Sequence, residues 1–150
     1  MRMRKAVKPG DIVAVPLDEA MVAVGIVLHV SSRFKNSMMI GFYDYVFESI
    51  EEVDRLGGDF IDTPNYTGVQ LISKDRWQVI GHSLDLLAEA TIPKLRVVTH
   101  VYYKDEVVHH FGSHEEEEAR KYPLLKGQGG IFIENKLREY FKRDNQSLTD

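Results

Sequence analysis

His109, His110 and His114, with Glu115 beside them, are the nearest this chain comes to a metal-ligand cluster. His110 and His114 stand four apart, the spacing that sets two imidazoles on one face of a helix. Gly112 and Ser113 fall between them and interrupt such a helix. No third ligand is spaced to complete a site, so a solvated strand-to-helix junction is the simpler reading. Asp44, Glu48, Asp59 and Asp62 could supply paired carboxylates for acid–base work, but nothing in their spacing fixes a separation, and all four suit turns and caps. Gly127-Gln128-Gly129-Gly130 lacks the lysine and hydroxyl residue of a phosphate-cradling loop and reads as a hinge. There is no nucleophile elbow, no dinucleotide fingerprint and no cysteine. These residues point to no catalytic site, no metal and no cofactor; the enzyme that they leave open is a small metal-dependent hydrolase around His100, His109, His110 and His114.

Aromatic and acidic residues give a stronger candidate, for binding rather than bond-making. Tyr43, Tyr45, Phe47, Tyr66, Trp77, Tyr102 and Tyr103 exceed what a small core requires. Tyrosine and tryptophan dominate protein–protein hot spots because they bury area at little rotamer cost and keep a polar handle. In a strand one face can be core while the other is displayed, and most of these rings are expected inside. Tyr43, Tyr45, Trp77 and Tyr103 are the aromatic candidates for a partner-binding surface. The run Glu115-Glu116-Glu117-Glu118 joins them: it suits a solvated helix start, and it could also steer a cationic partner such as a nuclease.

The elements that must position these residues follow from the whole chain. Its 150 residues, 43% hydrophobic and 28% charged, suit one globular domain with a sizeable core. Residues 1–8 read as a flexible N-terminal arm and 143–150 as a flexible tail. A net charge of −4 argues against a domain devoted to nucleic-acid phosphates, which leaves a small barrel using Arg33, Lys35, Arg76 and Trp77 as the least favoured reading. The basic N-terminus lacks the apolar segment of a signal peptide, and no run approaches a membrane span, so a cytoplasmic location without membrane attachment is expected. Lack of cysteine suits that compartment.

Residues 10–17 and 21–30 are both rich in β-branched residues and are joined by Asp18-Glu19-Ala20, so they predict a hairpin. Their second strand is apolar on both sides and must be covered on both faces or curl between two layers. Gly25 marks a bend or a close backbone approach, and Pro16 an edge, bulge or strand end. A third strand is expected over 38–47. Ser49 and Glu52 form a capping box for a helix over 50–56, closed by Gly57-Gly58. Short strands are expected over 69–72 and 76–81, with Trp77 and Val79 on one face, and a loop or single helical turn over 82–90. Residues 95–103 predict one strong strand, turned by 104–106 into a second hairpin with 107–111. Ser113 and Glu116 form another capping box, for a helix ending before Pro123. Ile133, Leu137, Tyr140 and Phe141 make the apolar stripe of a C-terminal helix. The expected fold is α+β: a small, strongly curved antiparallel sheet, or a partly open SH3-like barrel, with two or three peripheral helices.

Several of these segments resemble one family, in that family's order. They are Gly10-Asp11-Ile12-Val13-Ala14-Val15-Pro16-Leu17, Ala23-Val24-Gly25-Ile26-Val27-Leu28, Tyr43-Asp44, Trp77-Gln78-Val79-Ile80-Gly81 and Pro93-Lys94-Leu95-Arg96. The chain is similar over residues 8–100 to the twenty-sixth immunity-protein family of bacterial polymorphic-toxin systems. Met21-Val22-Ala23, where the family has an aromatic before its glycine block, and the Glu115–Glu118 run depart from the pattern. The resemblance implies a small non-enzymatic cytoplasmic protein that binds and neutralises a cognate toxin, with no active-site residues to carry over.

Overall fold

A computed structural model describes residues 7–18, 20–34 and 36–148, with side chains as far as Lys142. Most of the N-terminal arm, Glu19 of the first hairpin loop, Lys35 and the side chains of the tail from Arg143 lie outside the described residues.

The first hairpin forms as its β-branched runs predict. β1 (Asp11–Asp18) pairs antiparallel with β2 (Met21–Val30), Ile12 facing Ile26 and Val15 facing Ala23. The register shifts between Pro16 and Asp18, at the bulge a proline without an amide proton favours. β3 (Ser37–Phe47) follows antiparallel on β2. β4 (Asn65–Gly68), α1 (Gln70–Ser73), β5 (Gln78–His82) and α2 (Leu84–Glu89) come next. They lead to β6 (Lys94–Val97), β7 (His100–Tyr103) and β8 (Glu106–His110), then α3 (Glu116–Ala119), β9 (Gly127–Gln128) and α4 (Gly130–Leu148). The strands form two sheets, one ordered β5-β1-β2-β3-β4-β9 and the other β6-β7-β8. Neither closes on itself, so the fold is α+β with an open, curled sheet rather than a finished barrel.

The large sheet is apolar on both sides because its strands are, and both sides are covered. Val13, Val15 and Leu17 of β1, Ala23 and Val27 of β2, and Met38, Ile40 and Phe42 of β3 face one way, under Ile133, Leu137 and Phe141 of α4. Ile12, Val24, Ile26, Leu28, Met39 and Tyr43 face the other, under Leu95 of β6 and Leu86 and Leu87 of α2. Gly25 is the close approach its position suggested: a Cβ there would lie 2.9 Å from both the Gly41 carbonyl oxygen and the Phe42 ring.

One buried polar knot fixes α4 to the sheet. Glu134 is fully buried. Its carboxylate accepts from Trp77 Nε1 at 2.9 Å, from Arg76 Nε at 2.8 Å and from Arg76 Nη2 at 2.5 Å. The Arg76 guanidinium, raised above its usual range chiefly by those bonds, stays partly in water.

Local structure departs from expectation in five places. The helix over 50–56 shrinks to a single 3-10 turn at Ile50–Glu52, because Ser49 makes no side-chain cap and so short a helix has little intrinsic stability. Residues 70–73 are helical, not a strand, and the pairing falls on Asn65–Gly68 instead. Trp77 precedes β5, buried against Glu134, while Val79 is exposed. The run 95–103 is two strands, folded back at Val98-Thr99, where Val98 takes a φ of 52° that a β-branched residue rarely adopts. α3 is one turn, started by Glu115 without a cap from Ser113.

Candidate partner-binding surface

The small sheet is built from two tight reversals. β6 turns into β7 at Val98-Thr99, and β7 into β8 at Lys104-Asp105, with positive φ at Val98 and Lys104. A positive φ at the first loop residue matches the right-handed twist of a hairpin.

Asp105 clamps the second reversal to the large sheet. Its carboxylate accepts from Ser31 Oγ at 2.8 Å, Ser32 N at 2.8 Å and Ser32 Oγ at 3.1 Å, and lies 2.9 Å from His29 Nε2. Partial burial pushes this carboxyl up, but the bonds from Ser32, His29 and Ser31 prevail and hold it at about 2. The Tyr66 hydroxyl, pushed up to about 12 by burial and by Asp105, donates to the Lys104 carbonyl at 2.8 Å. Arg33 lies over the Tyr102 ring, 5.2 Å from its centroid.

Beyond this clamp the sheet opens outward. Leu95 is buried against the large sheet, and Val101 and Phe111 pack under Ala119 and Tyr122. All five residues of β8 are exposed. Val107 and Val108 keep 45% and 47% of their surface and Tyr103 38%, values that place apolar groups in water. His100 and His110 stack across the pair with centroids 4.2 Å apart, whereas His109 turns to Phe111. Among the described residues, no group of three or more His, Cys, Asp or Glu side chains is placed to hold a metal ion.

The residues singled out from sequence scatter. Tyr43 (2% exposed) and Trp77 (1%) are core, so neither displays its ring: Tyr43 lies on a covered face of the large sheet, and Trp77, just before β5, packs in the first core layer beside Glu134. Burial, with the neighbouring Tyr45 and Glu89, pushes the Tyr43 hydroxyl up to about 12. Tyr45 is half-buried; its hydroxyl donates to the Gly57 carbonyl and accepts from the Gly57 amide. Tyr103 and Glu115–Glu118 are exposed. Three of the four glutamates are engaged locally: Glu115 accepts from the Gly112 amide, Glu116 pairs with Arg120 and Glu118 with Lys121. Of the basic set, Arg76 is tied to Glu134 and Arg33 to Tyr102, and Lys35 lies outside the described residues.

Two features escaped the sequence reading. Val107 and Val108 count as core by type, and only their place on an outer strand displays them. Residues 44–62 carry Asp44, Glu48, Glu51, Glu52, Asp54, Asp59 and Asp62 against Arg55 alone, all exposed. A charge count by segment would have found this second acidic surface.

A model of the family described as Immunity protein 26 matches residues 8–106, about two-thirds of the chain, from the approach to β1 to the first residue of β8. No curated protein and no solved structure gives a significant match. The chain belongs to the Immunity protein 26 family.

Proposed function

We propose that this member of the Immunity protein 26 family neutralises a cognate toxin by binding it and covering its active site, without chemistry of its own. The observation that carries this reading is the β7–β8 hairpin. Tyr103 of β7 and Val107 and Val108 of β8 stand in water on a hairpin that Asp105 and Tyr66 hold at its turn. Exposed apolar groups on a rigidly anchored element suit a protein–protein contact, since little ordering entropy remains to be lost on docking. Glu106 and Glu115–Glu118 border the hairpin and residues 44–62 add a second acidic surface, which suits a toxin whose working face is cationic, as a phosphate-handling nuclease requires. The cytoplasm, where such a toxin would act, is the compartment this reading implies.

The test is co-expression of this chain with a candidate toxin taken from its gene neighbourhood. Rescue of growth together with co-purification supports the reading; a toxin that kills regardless, or a measurable turnover of small substrates by the purified chain, overturns it. Changing Glu115, Glu116, Glu117 and Glu118 together to glutamine should slow association about tenfold at low salt and flatten its salt dependence. An unchanged rate would move the steering role to residues 44–62.

A further inference from the structure

The backbone of β8, beyond its side chains, forms an open hydrogen-bonding rail. Phe111 N donates to Thr99 O at 2.8 Å, which makes residues 99 and 111 a hydrogen-bonded pair. In an antiparallel ladder the next pair, His100 with His110, is then non-hydrogen-bonded, and its closer Cα atoms account for the stacked rings. At the other end the two-residue loop closes on Tyr103 and Glu106, which leaves Tyr102 with Val107 as a second non-hydrogen-bonded pair. The amide and carbonyl groups of Val107 and His110 therefore point away from β7. Neither meets another element among the described residues. Val108 is the extra residue of a bulge between them.

The opposite edge of the same sheet is already covered. Arg96 N donates to Pro123 O at 2.8 Å and Leu125 N to Arg96 O at 2.9 Å, so residues 123–125 lie along β6 as an added strand. Only the β8 edge of this sheet lacks such cover. The bulge at Val108 is its one irregularity: it has no lysine and no proline, and two adjacent valines stand exposed on it.

We infer that the toxin adds an extended segment of its own to the β8 edge, continuing the β6-β7-β8 sheet. This rests on the immunity reading above and specifies how the contact is made. Charge defines the occupant. Glu106 marks one end of the rail, and Glu115, which accepts from the Gly112 amide, marks the other, while β8 itself holds no lysine or arginine. The added segment is apolar at its centre, against Val107 and Val108, and basic toward its ends. Its main chain supplies the affinity and its alternate side chains the selectivity.

The experiment uses the full chain and the candidate toxin identified by that co-expression. Val107→Pro removes one outward amide, at an edge position where proline is compatible with a strand, and Val107→Thr changes the side chain but keeps the amide. Strand addition predicts that Val107→Pro weakens binding at least 100-fold, against less than threefold for Val107→Thr. In the unsubstituted complex, exchange of the Val107 and His110 amides should slow at least tenfold relative to the free chain. A complex in which both amides exchange as fast as before overturns strand addition while leaving the immunity reading intact, even if Val107→Pro is poorly folded. Absence of any complex with the unsubstituted chain overturns both.

Discussion

The two sheets are built from the same β-branched vocabulary and put it to opposite uses. In β1–β3 valine, isoleucine and methionine are enclosed on both faces, under α4 on one side and under α2 and β6 on the other. In β8 two valines stand in water at the outer edge of a three-stranded sheet. The large sheet is held chiefly by burial, with the Glu134 knot, the His82–Asp11 pair and the Arg138 bond to the Leu17 carbonyl as polar ties. The small one is held by the Asp105 and Tyr66 clamp at one end and by Leu95, Val101 and Phe111 beneath it, and its outer strand stays exposed. Residue type alone does not separate core from display; position in the strand order does.

The contrast is sharpest if the large sheet is damaged first. Trp77→Ala removes a ring from the first core layer and leaves Glu134 without one of its donors, so a loss of about 3–5 kcal/mol in urea unfolding is expected. A loss below about 1 kcal/mol would mean that α4 is not sealed onto the sheet as described.

Acid should act next, and locally. Because the folded carboxyl of Asp105 lies below its ordinary value, its contribution is present in full above about pH 4 and is lost as pH falls through about 2. Amide exchange over residues 100–110 should accelerate in that window before β1–β3 respond. Asp105→Asn should reproduce part of the acceleration at neutral pH and remove its acid dependence. Simultaneous acceleration in both sheets would show that the clamp is not local.

The smallest effect on stability should come from β8 itself. Val107→Thr and Val108→Thr should each change unfolding by less than about 0.5 kcal/mol, since both side chains are already largely in water. A larger cost would place these valines in a core and remove them from the proposed binding surface.

How much was legible in the sequence follows the same division. The hairpin over 10–30 and the need to cover both its faces could be read from two-sided apolar strands and one proline. The stripe of Ile133, Leu137 and Phe141 announced the helix that covers one of them. What could not be read depended on distant partners. Nothing near Trp77 signals that its indole meets a carboxylate 57 positions away. The reversal at Val98-Thr99 hides inside a run of strand-forming residues, with no glycine or asparagine to mark its positive φ. Of the proposed binding residues, Tyr103 and the glutamates stayed at the surface while Tyr43 and Trp77 went inside. With both faces of the large sheet covered, alternation could not tell which aromatics would be shown.

α4 has a consequence for how the molecule comes into being. It follows in the chain every strand that it covers, so a ribosome delivers β1, β2 and β3 long before the lid that shields Val13, Val27 and Ile40 from water. Until Phe141 has cleared the exit tunnel, the nascent polypeptide carries a greasy, unfinished wall, the state in which chains stick to one another and chaperones find their clients. The wall is sealed only once that helix has been translated.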